Sequence, residues 1–166
     1  KARPALLGYL LECPPAYREA GDLFAFGTPS NPLNLWGDDT DALRPNLDAR
    51  CEHIRKKLHA VFAATPARMF TASAHFPFVL TEGQLEWLTA AEIENRWTTG
   101  ARGKIVVGVG AVGQPRDGDW RAGYVEVMED DVLWHRVPYE IEATVRAFTR
   151  NLELPRAFAE RLRRGI

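Results

Sequence analysis

The 166-residue chain carries 21 Lys and Arg against 22 Asp and Glu, and 46% of its residues are hydrophobic. That length buries a core without disulfides or metals to hold it, so one domain over residues 1–166 is expected. The near-cancelling charge argues against a nucleic-acid partner or an anionic membrane surface, and no apolar run approaches the roughly 20 residues of a membrane span.

Cys13 and Cys51 stand alone, with no Cys-x-x-Cys spacing or matching His pair, so two reduced thiols in a cytoplasmic protein are expected. No cleavable apolar core follows Lys1-Ala-Arg-Pro4, which argues against a signal peptide. The chain starts without Met, as a processed product or a partial reading frame would.

In chain order, Ala5–Leu11 is apolar and stops at Pro14-Pro15. A turn at Glu19–Asp22 leads to a short buried strand, Leu23–Phe26, and then to a loop rich in Pro and Asn. Leu47, Cys51, Ile54, Leu58, Val61 and Phe62 fall three or four apart and predict an amphipathic helix, with Asn46 as N-cap and Thr65-Pro66 at its exit. Arg68–Thr71 reads as a strand ending at Ala72-Ser-Ala-His-Phe-Pro77. Phe78–Leu80 and Leu85–Leu88 read as strands flanking a turn at Glu82-Gly83. The capping-box spacing Thr89-Ala-Ala-Glu92 predicts a short helix. Lys104–Val109, Gly123–Met128 and Val132–Val137 are further strands, the last two joined at Asp130-Asp131, and Pro138 ends the sheet. Ile141, Val145 and Phe148 mark a second amphipathic helix, and Pro155 is placed at the first position of a last short one. The basic run Arg161–Arg164 reads as charge complementing a helix end. Helices interleaved with strands predict an α/β fold.

The most informative stretch is Gly108-Val-Gly-Ala-Val-Gly-Gln-Pro-Arg-Asp-Gly-Asp119, where a buried strand leaves the sheet through glycines, a proline and a charged pair. It resembles the Asn-x-Gly-Ser-Val-Gly-Gln-Pro-Arg-Asp-Gly-Asp signature of small bacterial calcineurin-like metallophosphoesterases, with Gly108 for Asn and Ala111 for Ser. Phe26-Gly-Thr-Pro29 corresponds to that family's His-Gly-Ser-Pro, and Ala72-Ser-Ala-His75 to its Gly-His-Thr-His. Val137-Pro-Tyr-Glu-Ile-Glu-Ala-Thr144 corresponds to the start of its last long helix.

The resemblance runs from about Leu6 to Gly165 and covers only the C-terminal half of the family domain. It implies the C-terminal part of a four-layer α-β-β-α sandwich. The Asp-x-His, Gly-Asp-x-x-Asp and Gly-Asn-His-Asp motifs that supply most of the dinuclear metal ligands do not occur here; Trp36-Gly-Asp-Asp-Thr-Asp41 is an acidic loop without the required strand and His. In the half that matches, Phe26 and Ser73 stand where ligand imidazoles would be. His75 alone keeps a ligand position. Phe offers no lone pair, Ser is a poor substitute for imidazole, and one His cannot organise two cations.

His75 has a second reading as a structural histidine among Ala74, Phe76 and Pro77, which is the one favoured for the isolated chain. Arg116 and Asp117, with the N–H groups of Gly113 and Gly118 and with Gln114 between them, read either as an anion-binding loop or as an internal ion pair that stiffens a glycine-rich crossing. The internal pair is preferred. His53 and His59 read as solvated, and His135 carries no catalytic signal. The five tryptophans, Trp36, Trp87, Trp97, Trp120 and Trp134, are scattered and read as core and interface burial, with exposed Trp120 placed to touch a ligand or partner.

The expected function is therefore a degenerate phosphoesterase domain, catalytically inactive and acting in binding or assembly. No metal is expected for this chain alone. Its partners would be a second copy or a complementing chain that covers an exposed sheet face, and a phosphate-containing small molecule. The alternative is a metal-dependent phosphodiesterase completed by a separate N-terminal chain, with Mn or another divalent metal pair. A third reading is a remnant whose fold persists without either role.

Overall fold

Period-two alternation of large apolar side chains builds the central sheet. In the computed structural model, which describes residues 8–9, 11–29, 52–100, 103–150 and 155–166, six strands form it: β1 (Ala16–Glu19), β2 (Asp22–Ala25), β3 (Arg68–Thr71), β4 (Pro77–Thr81), β5 (Trp87–Thr89) and β7 (Ile105–Val109), in the order β1-β2-β3-β7-β4-β5. β2, β3 and β7 run parallel, while β1, β4 and β5 pair antiparallel to their neighbours. A second sheet has β6 (Arg96–Thr98), β9 (Asp131–Val137) and β8 (Ala122–Val127), all antiparallel.

One face of the six-stranded sheet turns Met69, Phe78, Leu80 and Val106 toward Leu58, Val61 and Phe62 of helix α1 (Glu52–Ala64). The alternate positions Phe70, Val79, Ile105 and Val107 meet Trp97, Val132 and Trp134 of the second sheet. The described layers are thus helix, sheet, sheet. Each fully buried Val, Leu, Ile or Phe in these two interfaces contributes about 1.5–3 kcal/mol. Arg68 also ties the sheets together. Its guanidinium grips Asp22 in a fork at 2.6 and 2.7 Å and donates to the Met128 carbonyl at 2.9 Å.

Helices α2 (Ile141–Arg150) and α3 (Ala157–Arg164) pack on each other through Val145, Ala159 and Leu162, flanked by Ile141 and Phe148. Gly165 ends α3 in the left-handed conformation at φ 63°, where its N–H and that of Ile166 reach the last carbonyls. The basic residues of that last turn behave as helix-end charge, with Arg163 further bonded to Glu142 at 2.7 and 2.9 Å. Among the described residues no helix is long and apolar enough to cross a membrane.

Several expectations need correction. Thr89 and Glu92 do form the reciprocal capping bonds, at 2.7 and 3.2 Å, yet no helix follows. Glu94 and Asn95 turn left-handed (φ 53° and 59°), and the Asn95 N–H closes on the Ala90 carbonyl at 2.7 Å, so the chain passes straight into β6. β1 and β6 were not anticipated. Leu85 belongs to the turn, with φ 51°, and β5 begins two residues later. Pro155 lies ahead of the α3 N-cap, Arg156, rather than at the first helical position. The segment 1–7, the Pro- and Asn-rich loop with Trp36 and the acidic stretch to Asp41, Asn46, Leu47, Cys51 and the side chain of His53 lie outside the described residues.

Candidate functional site

Three parallel strands finish at the same level, because Ala25 of β2 pairs with Thr71 of β3, and Thr71 with Gly108 of β7. The residues that follow each strand therefore converge, in the position where open α/β sheets usually receive ligands. Phe26 comes from the end of β2, Ala72 and His75 from β3 and Gly110–Gln114 from β7. Together with Val109 and Gly123 they line a cleft of about 350 Å³. Its walls are mostly apolar, and Phe26 (42% exposed) and Val112 (70% exposed) form part of them.

Gly108 and Ala111, where the signature has Asn and Ser, fit this packing. A Cβ on Gly108 would overlap the Phe78 ring across the β4–β7 pair and lie 2.5 Å from the Phe76 carbonyl oxygen. The Gly108 carbonyl accepts a 2.8 Å bond from the buried Trp134 indole, fastening the second sheet to the end of β7. The Ala111 carbonyl accepts the Gly123 N–H at 2.8 Å. No side chain at 108 or 111 brings a metal ligand into the cleft.

His75 holds the loop. It sits left-handed at φ 57°, a conformation that costs an ordinary residue roughly 1–2 kcal/mol and that His tolerates better than most. Its carbonyl accepts the Arg116 N–H at 3.2 Å, and its Nδ1 lies 2.8 Å from the Gln114 carbonyl. A carbonyl only accepts, so Nδ1 carries the hydrogen and Nε2 keeps the lone pair. Ser73 is buried beneath the cleft instead of lining it. Its N–H bonds the Phe26 carbonyl at 3.0 Å, and its hydroxyl lies 3.5 Å from that of Thr71, which itself donates to the Phe26 carbonyl.

The expected Arg116–Asp117 ion pair is not formed. Asp117 pairs instead with Arg136 of β9, and both side chains are largely but not fully shielded, 12% and 14% exposed. Burial pushes the Asp117 carboxyl above its ordinary range, and Arg136 pulls it back down. Its Oδ1 is buried without a partner. Asp119 accepts from the Arg121 guanidinium at 2.6 Å and from the Arg121 N–H at 3.0 Å, which holds its carboxyl below the ordinary range.

The expected N–H cradle is likewise partly spent, since the Gly118 N–H bonds the Gly165 carbonyl at 2.9 Å. Arg116 stays exposed and makes one long bond, 3.4 Å, from Nη2 to the Gln114 side-chain oxygen. Trp120 packs tilted against Tyr139, ring centroids 5.9 Å apart, and is half-buried, so it serves packing more than a ligand. His59 is exposed as expected. His135 stacks on Tyr124 and bonds Glu126 at 2.9 Å on the outer face of the second sheet, away from the cleft.

The structure thus gathers Phe26, His75, Gly113 and Gln114 around one cleft, with Arg116 at its rim. Reading the sequence missed the role of Arg136, which lies about twenty residues beyond Asp117 and carries no local signal. The donor set does not fit a pair of divalent cations. Among the described residues no three His, Cys, Asp or Glu side chains come close enough to hold a metal ion.

No family model matches the chain, and no curated protein matches it. Solved structures do. A metallophosphoesterase from Sphaerobacter thermophilus superposes with a TM-score of 0.75 at 22% identity, over 99% of this chain and 64% of that one. A hypothetical protein from Pyrococcus horikoshii OT3 superposes with a TM-score of 0.61 at 16% identity, over 96% of this chain and 54% of that one. The chain spans less than two thirds of the length of either. Strand order, layering and these superpositions together show that this chain has a metallophosphoesterase-like α/β fold.

Proposed function

We propose that this chain is a phosphoesterase-like module that works by binding, with no two-metal hydrolysis of its own. The observation that carries the proposal is the side-chain chemistry at the ends of β2 and β3. Two-metal hydrolysis needs several imidazoles and carboxylates to hold cations a few ångströms apart and to activate water. Here Phe26 presents a ring, Ser73 is engaged with Thr71 and the Phe26 backbone, and His75 is the one imidazole among the described residues that line the cleft. The apolar cleft beside it suits a small molecule or a segment of a second copy or complementing chain.

The test is hydrolysis of bis(p-nitrophenyl) phosphate by the purified chain with Mn²⁺. The expected rate equals that of buffer with Mn²⁺. Turnover that disappears in His75→Ala would overturn the proposal.

A second reading is favoured by the His75 tautomer. Donation from Nδ1 to a backbone carbonyl, leaving Nε2 free, is how proteins orient a metal-binding imidazole. Since the chain spans under two thirds of its solved relatives, a complementing polypeptide bearing Asp-x-His and Gly-Asn-His-Asp could supply the remaining ligands for Mn or another divalent pair. On that reading activity arises only when both polypeptides are mixed, and His75→Ala removes it.

A further inference from the structure

We propose that the cleft at the strand ends takes a small, neutral aromatic ligand and holds it by one hydrogen bond, donated by a hydroxyl or ring N–H of the ligand to His75 Nε2. This deepens the reading of the chain as a binding module and rests on it.

Strand order sets out the walls. Because β3 lies between β2 and β7, Phe26 leaves on one side of the β3 exit and the glycine loop on the other, with His75 between them. Phe26 and Val112 are large hydrophobic side chains left exposed where they line the cleft, so a guest that covers them takes apolar surface out of water. Val109 adds hydrocarbon, and Gly110 and Gly113 add only backbone. The volume of about 350 Å³ stands at the small end of the roughly 300–1,000 Å³ usual for ligand pockets, which suits a guest of one or two rings.

His75 decides the polar match. Its Nδ1 hydrogen goes to the Gln114 carbonyl at 2.8 Å, and this leaves Nε2 as an acceptor. Among the described residues nothing bonds to Nε2, and it is not one of the sealed polar atoms, so it is within reach of a ligand in the cleft that His75 lines. The left-handed backbone and the Arg116 N–H on the His75 carbonyl hold the ring in place before any ligand arrives. A carboxylate or phosphate would set its own lone pairs against that of Nε2 and would lose water against hydrocarbon walls. A single donor on a flat apolar body meets both demands. The Phe26 ring favours an aromatic body over an aliphatic one.

The experiment is an NMR titration of the chain, without added metal, with indole, N-methylindole and β-naphthoate, following the Gly110 and Gly113 amides and the His75 ring nitrogens. Indole should bind saturably and about tenfold more tightly than N-methylindole, which keeps the rings and lacks the donor. β-Naphthoate should bind more weakly than indole, and indole alone should move the Nε2 resonance. His75→Asn tolerates the left-handed backbone but does not reach the Nε2 position, so the advantage of indole over N-methylindole should vanish there. Phe26→Leu keeps that wall apolar and should weaken indole by about threefold. Equal affinity for indole and N-methylindole, or an advantage that survives His75→Asn, would overturn the inference. So would an absence of saturable shifts with all three probes. Tightest binding of β-naphthoate would overturn it too, while leaving a binding module with a different ligand. Donor-selective binding of indole combined with Mn²⁺-dependent phosphodiester turnover would instead remove the binding-only reading and leave the ligand class standing.

Discussion

Gly108→Ala offers the sharpest check on how the site is packed. The added methyl would overlap the Phe78 ring and approach the Phe76 carbonyl oxygen to 2.5 Å. Phe78 is fully buried and stacked on Trp87 with centroids 5.1 Å apart, so the ring has little room to withdraw. Overpacking of this kind costs about 1–3 kcal/mol, and a backbone oxygen that cannot rotate away puts the value near the upper end. For a chain of this length that corresponds to a fall in Tm of about 5–10 °C. Phe78→Val deletes the ring atoms in conflict at its own cost of about 2–3 kcal/mol. In that background Gly108→Ala should cost about 1.5 kcal/mol less than it does alone. Urea denaturation of the four proteins, checked for constant m, measures the cycle. A Gly108→Ala protein as stable as the parent, or two costs that simply add, would refute the packing described for β4 and β7.

His75→Ala should destabilise the chain by about 1–2 kcal/mol through the left-handed backbone and the lost bond to Gln114, whereas His75→Asn, which tolerates that conformation, should cost less; thermal melts compare them. Arg136→Met leaves the buried Asp117 carboxyl without its cation and should cost about 3 kcal/mol or more, much of it recovered in Arg136→Met with Asp117→Leu; chemical denaturation measures both. Asp119, whose carboxyl is lowered by Arg121, contributes stability present above the unfolded value of about 3.9 and lost as pH falls through its folded value. Asp117, raised by burial, contributes with the opposite sign, losing stability as pH rises through its folded value. Asp119→Asn should therefore lose less stability than the parent between neutral and acid pH, and Asp117→Asn more; a denaturation series across pH that shows neither difference would contradict the two environments.

Much of the fold was legible because burial on both faces leaves a periodic trace. Arg68–Thr71 and the α1 stripe of Leu58, Val61 and Phe62 were readable from apolar spacing alone. What escaped lacks such a trace. β1 is four residues long, three of them exposed, and β6 presents a single buried side chain, Trp97. The capping box at Thr89 was read correctly as local chemistry and wrongly as the start of a helix, since its bonds serve an isolated turn as well as a nucleus.

At the site, the motifs located Phe26, His75 and the 113–118 loop, which the strand ends do bring together, apart from the buried Ser73. They could not reveal who pairs with whom. The neighbour in sequence, Arg116, was the obvious partner for Asp117, but Arg136 on β9 faces the loop and takes the carboxylate.

The most direct measurement is the stoichiometry of Mn²⁺ on the purified chain, followed by electron paramagnetic resonance as the metal is added. With His75 as the lone imidazole among the described residues of the cleft, the predicted result is free-ion signal from the first additions and no spin-coupled pair. Two Mn²⁺ per chain, coupled to each other, held at about 1 µM or tighter and released in His75→Ala, would contradict it.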